Sequence, residues 1–194
     1  ALRASLFCYD NAALPHLVAA WSSGSLPVLC VVPAGQALAQ LSSIVMRDLE
    51  PGKELVRGQL TIRAIPFLEV DRYDRLLWAC DINFVRGEDS FLRAQLAARA
   101  MVWQAYPQTE DAHTAKVAAF LDRYTRGLDT ATAAPVHAFI RAWNLQSDEA
   151  GQCWEALMTR RAQVAAHARV WAAELAQCGN LAIKLAEFCQ DRLE

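Results

Sequence analysis

The sequence predicts an α/β fold: a parallel β-sheet with helices on both faces, closed by a helical final third. Two observations carry this. From Ser5 to Gln104, short apolar runs alternate with stretches of helical periodicity, as in strand–helix–strand units. From His113 onward the strand pattern stops and only helical periodicity continues.

Ser5–Tyr9 is expected as the first strand. Asn11–Trp21 reads as a helix with Leu14, Val18 and Trp21 on one face and Gly24 just beyond its end. The run from Pro27 to Pro33 is rich in valine and suits a central parallel strand. Gly35–Leu41 reads as the next helix. Leu49–Gly58 is polar, contains Pro51-Gly52 and reads as a loop. Leu60–Ile65 alternates like a strand until Pro66 ends it. Asp71–Ala79 is expected as a helix capped by Asp71. A strand at Ile82–Val85, a helix at Asp89–Arg99 and a strand at Met101–Gln104 follow. The remaining helices are expected at 113–124, 134–143, 151–160, 162–178 and 181–193. The last has an apolar face of Leu181, Leu185 and Phe188. No internal repeat or low-complexity linker interrupts residues 1–194, which read as one domain with its helical extension.

Composition narrows the functional classes. The 194 residues are 54% hydrophobic and 21% charged, an ordinary globular balance. The formal net charge of −2 gives no bulk attraction to nucleic acid. No apolar run approaches the roughly 20 residues of a membrane span, and the opening residues lack a signal-peptide pattern, so no membrane partner is expected. Six cysteines occur without a Cys-x-x-Cys pair or zinc-finger spacing. Cys8, Cys30 and Cys80 lie in or beside apolar runs. The set reads as buried reduced thiols, which suits a cytoplasmic protein. His16, His137 and His167 sit within helical patterns and read as partly buried or surface residues. His113, following Asp111 at a helix start, reads as a capping residue. The six tryptophans read mostly as core.

In an open α/β sheet, ligands bind beyond the carboxyl ends of the strands. The sequence offers Tyr9-Asp10-Asn11, Pro66-Phe67, Arg86-Gly87-Glu88-Asp89-Ser90 and Ala105-Tyr106-Pro107-Gln108. The third runs from a strand directly into a helix. Gly87 permits a tight turn, and Asp89 or Ser90 can cap the helix. The helix's first N–H groups, with Arg86 beside them, would form an anion site that needs no metal. Such junctions also carry Gly, Asp and Ser purely as caps, so this segment alone fits either reading. Adjacent carboxylates would repel a phosphate. Glu88 and Asp89 therefore need another purpose: binding sugar hydroxyls, pairing with Arg86, or facing a cationic acceptor. No Gly-x-Gly-x-x-Gly follows the first strand, and no Walker loop or Gly-x-Ser-x-Gly elbow is present.

The segments 73–81 (Tyr73-Asp74-Arg75-Leu76-Leu77-Trp78-Ala79-Cys80-Asp81) and 83–91 (Asn83-Phe84-Val85-Arg86-Gly87-Glu88-Asp89-Ser90-Phe91) resemble the central block of the bacterial protein-arginine rhamnosyltransferases that act on elongation factor P. The flanking segments 7–11, 103–108 and 119–124 and the closing Gly179-Asn180-Leu181 are also similar. The resemblance implies a metal-independent, inverting glycosyltransferase of the GT-B architecture. This chain would be its C-terminal half, a Rossmann-like domain that binds TDP-β-L-rhamnose. An N-terminal domain would supply a catalytic aspartate and much of the surface for elongation factor P. Glu88 is then the catalytic carboxylate of this half. Tyr9, Phe67, Arg86, Gly87, Asp89 and Ser90 would line the donor site. Val70 joins them where the family has a glutamine near the thymine. Ala98 and Ala100 replace a glycine and a proline expected on either side of Arg99, and Ala105 replaces a bulkier aliphatic residue; these read as packing changes.

The chemistry is coherent with these residues. An arginine side chain is almost always protonated and a poor nucleophile. Glycosylating it calls for carboxylates that orient the guanidinium and accept a proton. The departing nucleoside diphosphate gains charge that a helix N-terminus and Arg86 can stabilise. Two alternatives remain at this stage: a GT-B enzyme with another acceptor, and a non-catalytic α/β domain that binds a nucleotide or a protein.

Overall fold

The computed structural model describes residues 1–108, 112–179 and 181–192, apart from the side chains of residues 181, 182 and 187. Asp111, Asn180 in the middle of Gly179-Asn180-Leu181, and Leu193 at the end of the last expected helix lie outside the described residues. The strands are β1 (Leu2–Leu6), β2 (Val28–Pro33), β3 (Glu54–Arg57), β4 (Leu60–Ile65), β5 (Ile82–Arg86) and β6 (Ala100–Gln104). The helices are α1 (Leu14–Ser23), α2 (Gln36–Val45), α3 (Val70–Ala79), α4 (Asp89–Leu96), α5 (Ala112–Tyr124), α6 (Thr130–Asn144), α7 (Ala150–Met158), α8 (Arg161–Gln177) and α9 (Leu181–Gln190).

The strands form one sheet in the order β3-β4-β2-β1-β5-β6. Five of them are parallel, in line with the sequence pattern; β3 alone runs antiparallel, paired with β4 from Glu54↔Arg63 to Arg57↔Leu60. The sequence placed β3 within a loop. Its exposed, charged residues carry no apolar alternation, and its partnership with β4 is what makes it a strand. Gly58 turns the hairpin at φ +59°, and a Cβ there would meet the Ser22 carbonyl oxygen at 2.1 Å, so only glycine fits.

Other boundaries moved for identifiable reasons. β1 begins at Leu2 rather than Ser5, because Arg3 is accommodated at the strand end by Asp81, Nη2 to Oδ1 3.2 Å. Phe7 to Tyr9 consequently lie beyond the strand. α1 starts at Leu14, since Asn11 is buried and tied by its Nδ2 to the Trp143 carbonyl at 3.0 Å. Asp71 does not cap α3; it lies in the first turn, and Glu69 holds the cap position without a side-chain bond. α6 starts four residues early because Asp129 accepts from Thr132 N at 2.9 Å, leaving Pro135 inside the helix. α4 stops at Leu96, and Ala98 takes a left-handed φ of +56°. Ala98, read from the sequence as a packing change, thus bears on the backbone, since a Cβ is disfavoured in that conformation.

The core is aromatic. Phe84 on β5 contacts Trp21, Phe139, Trp143 and Trp154 with centroid separations of 5.2–6.1 Å. The helical third returns onto the sheet: α7 packs on α1, α6 on β6, and α8 on α4 and β6. Trp78 is exposed, unlike the other five tryptophans. Cys8, Cys30 and Cys80 are buried, whereas Cys178 and Cys189 are not. His113 takes no capping part in the described residues; its Nδ1 accepts from Gln108 N at 3.5 Å. On α9, Leu185 and Phe188 are exposed.

Candidate functional site

β1 lies between β2 and β5, so the chain winds from it in opposite directions, toward β4 and toward β6. A crevice is expected where the connections part, beyond the carboxyl ends of β1 and β5. A cleft of about 410 Å³ lies there. Tyr9, Phe67, Val70, Arg86, Gly87, Glu88, Asp89 and Ser90 all line it. The sequence reading missed Phe7, Pro33, Leu68, Tyr73 and Arg93 on the same walls. Phe7 had a signal, because it shares the two-residue period of the strand end with Tyr9. Arg93 had one too, standing four residues after Asp89 on one helix face. Asp10 and the Ala105–Gln108 segment do not line the cleft, although Tyr106 packs edge-on against Tyr9 at 5.5 Å.

The turn between β5 and α4 is fixed from several sides. Gly87 adopts φ +59°, its N–H donates to the Gln104 carbonyl at 3.2 Å, and its own carbonyl accepts from Trp103 Nε1 at 2.8 Å. A Cβ on Gly87 would stand 3.0 Å from Tyr9 Oη. Ser90 does not cap the helix, contrary to expectation. Its Oγ accepts from Arg86 N at 3.0 Å and donates to the Arg86 carbonyl, locking the turn. Asp89 does not cap either, because Glu88 occupies the cap position and makes no capping bond. Among the described residues, the first-turn N–H groups of α4 are thus left without a side-chain acceptor, the electropositive end of the helix opening on the cleft.

Arg86 is held rather than free. Its guanidinium lies 4.5 Å from the ring centroids of both Phe7 and Tyr9, and its Nη1 donates to Gln36 Oε1 at 2.9 Å. It pairs with neither neighbouring carboxylate. Asp89 instead accepts from Arg93 Nε at 3.0 Å, while Arg93 Nη1 donates to both oxygens of Asp74 at 3.1 and 3.0 Å. These bonds, Asp89 first, raise the Arg93 pKa further. Glu88 is exposed, and its carboxylate has no hydrogen-bond or ion-pair partner among the described residues.

The remaining walls are apolar. Phe67 and Val70, 72% and 52% exposed, stand on the cleft wall and offer a ready surface for a flat ring. Behind them, burial pushes the Tyr73 phenol far above its ordinary range. Nearby Ser90 would oppose this, but its Oγ is committed to Arg86, so Tyr73 Oη makes no hydrogen bond among the described residues. Burial also pushes the Cys8 thiol up to about 12, despite the opposing charge of Arg86, so Cys8 packs as a small hydrophobe and is no nucleophile. Among the described residues, no three His, Cys, Asp or Glu side chains converge as a metal site, and no helix is long and apolar enough to cross a membrane.

The profile of the family described as "Elongation-Factor P (EF-P) rhamnosyltransferase EarP" matches residues 1–190. The chain is 41% identical over 194 residues to a protein-arginine rhamnosyltransferase of Pseudomonas putida, covering 100% of this chain and 51% of that protein. It is 32% identical over 191 residues to one of Shewanella oneidensis, covering 95% and 48%. A solved structure described as the structural basis for EarP-mediated arginine glycosylation of translation elongation factor EF-P superposes with a TM-score of 0.89 at 38% identity, covering 98% of this chain and 61% of that one. The chain thus spans about half the length of the curated relatives it matches.

Proposed function

Because the chain belongs to the elongation factor P rhamnosyltransferase family, we propose that it is the donor-binding half of an inverting, metal-independent enzyme that transfers L-rhamnose from TDP-β-L-rhamnose to an arginine of elongation factor P. The observation that carries this reading is the convergence of Arg86–Ser90, Tyr9, Phe67 and Val70 on one cleft at the uncapped start of α4. The first-turn N–H groups and Arg86 receive the diphosphate. Phe67 and Val70 offer apolar surface to the thymine. Val70 keeps this contact but gives up any amide hydrogen bond that a glutamine would make.

The reaction breaks the bond from the sugar's anomeric carbon to the diphosphate oxygen, releasing TDP, and forms one to the arginine nitrogen, whose proton passes to a catalytic carboxylate, Glu88 or the aspartate of the N-terminal half. Glu88 faces the acceptor and balances its charge. Asp89, already bonded to Arg93, has one oxygen left for a sugar hydroxyl. The N-terminal half of the enzyme supplies the second catalytic carboxylate and the docking surface for elongation factor P. Residues 1–194 alone therefore bind donor without catalysing transfer. The protein works in the cytoplasm, consistent with the thiols Cys8, Cys30 and Cys80 serving as buried hydrophobes.

A thermal-shift comparison tests the donor assignment. At one hundred times its Kd, TDP-rhamnose should stabilise by about 2.7 kcal/mol, or roughly 5–10 °C in Tm for a domain of this size. UDP-glucose at equal concentration should give a smaller shift and NAD none. A shift for NAD as large as for TDP-rhamnose would refute the assignment.

A further inference from the structure

Resting on the reading of the cleft as a nucleoside-diphosphate site, we propose that Arg93 is a positioning residue: it neutralises Asp74 and Asp89 and so allows the cleft to accept a diphosphate. Glu88 and Asp89 stand on the turn that would receive the phosphates, and Asp74 approaches from α3. Arg86 cannot offset all three carboxylates: it carries a single positive charge, and its guanidinium, held against the Phe7 and Tyr9 rings with Nη1 on the neutral Gln36 amide, bonds none of them. Arg93 is the cation that spans the gap, with Nε on Asp89 and Nη1 on Asp74. Its side chain is only 28% exposed, so its charge is less screened than a surface arginine's. The planar guanidinium fork bonds both carboxylates at once; a lysine ammonium on a flexible stem does not reproduce that geometry.

The test uses titration of the full-length protein with TDP and with uncharged thymidine, at low and high salt. Arg93→Met should weaken TDP binding about fivefold or more while changing thymidine binding less than about twofold, and added salt should narrow the gap. Arg93→Lys should fall between the two. Asp89→Asn placed in the Arg93→Met background should recover most of the loss. Asp89→Asn alone, on an exposed side chain, should hold or tighten TDP binding, which keeps the proposal testable even if Arg93→Met folds poorly. Equal loss of TDP and thymidine would show that Arg93 merely tethers α3 to α4 and would overturn the proposal. So would unchanged TDP binding by Arg93→Met, or weaker TDP binding by Asp89→Asn alone. Absence of TDP binding by the unmodified protein would instead refute the underlying reading of the cleft, and this proposal with it.

Discussion

Glu88→Gln in the full-length enzyme should lower kcat by about 10²–10⁴-fold, the range of general acid–base contributions, and leave TDP affinity within about threefold. The structure separates Glu88 from its neighbour. Asp89 is tied to Arg93 at 3.0 Å, whereas the Glu88 carboxylate stands on the cleft wall unpaired among the described residues and neither caps α4 nor meets Arg86. An unpaired carboxylate is available to a cationic acceptor. Glutamine keeps its shape but can neither balance a guanidinium nor take a proton. Because that interaction develops with the acceptor, the loss should fall on turnover and spare TDP, as steady-state kinetics with elongation factor P would show. Near-normal turnover would remove Glu88 from the mechanism. A comparable loss of TDP binding would make it a donor contact instead.

Residues 1–194 alone should bind TDP yet leave elongation factor P unmodified. The six-stranded sheet, its aromatic core around Phe84 and the cleft described above all lie within the described residues. Transfer additionally requires the acceptor arginine to be held against the sugar carbon. Positioning of this kind accounts for roughly 7–11 kcal/mol of barrier lowering, enough that its loss abolishes detectable product. Mass spectrometry of elongation factor P after incubation with TDP-rhamnose and this chain checks the point. A rhamnosylated arginine at more than a trace rate would contradict the proposed division of labour.

The Arg86–Ser90 turn was legible in the sequence because a strand running through glycine into a helix leaves few geometries open, and Gly87 at φ +59° is the one that results. Its internal wiring was not legible. Ser90 looks like a cap by composition, but the nearby Arg86 backbone offers both a donor and an acceptor to its Oγ. Arg86 has two adjacent carboxylates in sequence, yet the fold delivers Gln36 from α2 and two rings from the β1 end. Strands were read to within one residue where the apolar run is buried on both faces, as in β5 and β6, and with their exact bounds where apolar positions alternate, as in β4. β3 escaped because a short charged edge strand is specified by its partner, not by its own pattern. β1 was displaced because the Arg3 charge hides a strand that Asp81, distant in sequence, makes possible.

Amide hydrogen exchange locates the donor site directly. Adding TDP should slow exchange across 87–91, where the Gly87 turn leads into the uncapped start of α4, because the diphosphate would accept from those first-turn N–H groups. Protection should be concentrated there, with a smaller effect around Phe67–Val70. Measurable TDP binding with unchanged exchange from Gly87 to Phe91 would place the nucleotide elsewhere on the molecule and contradict the donor-site assignment.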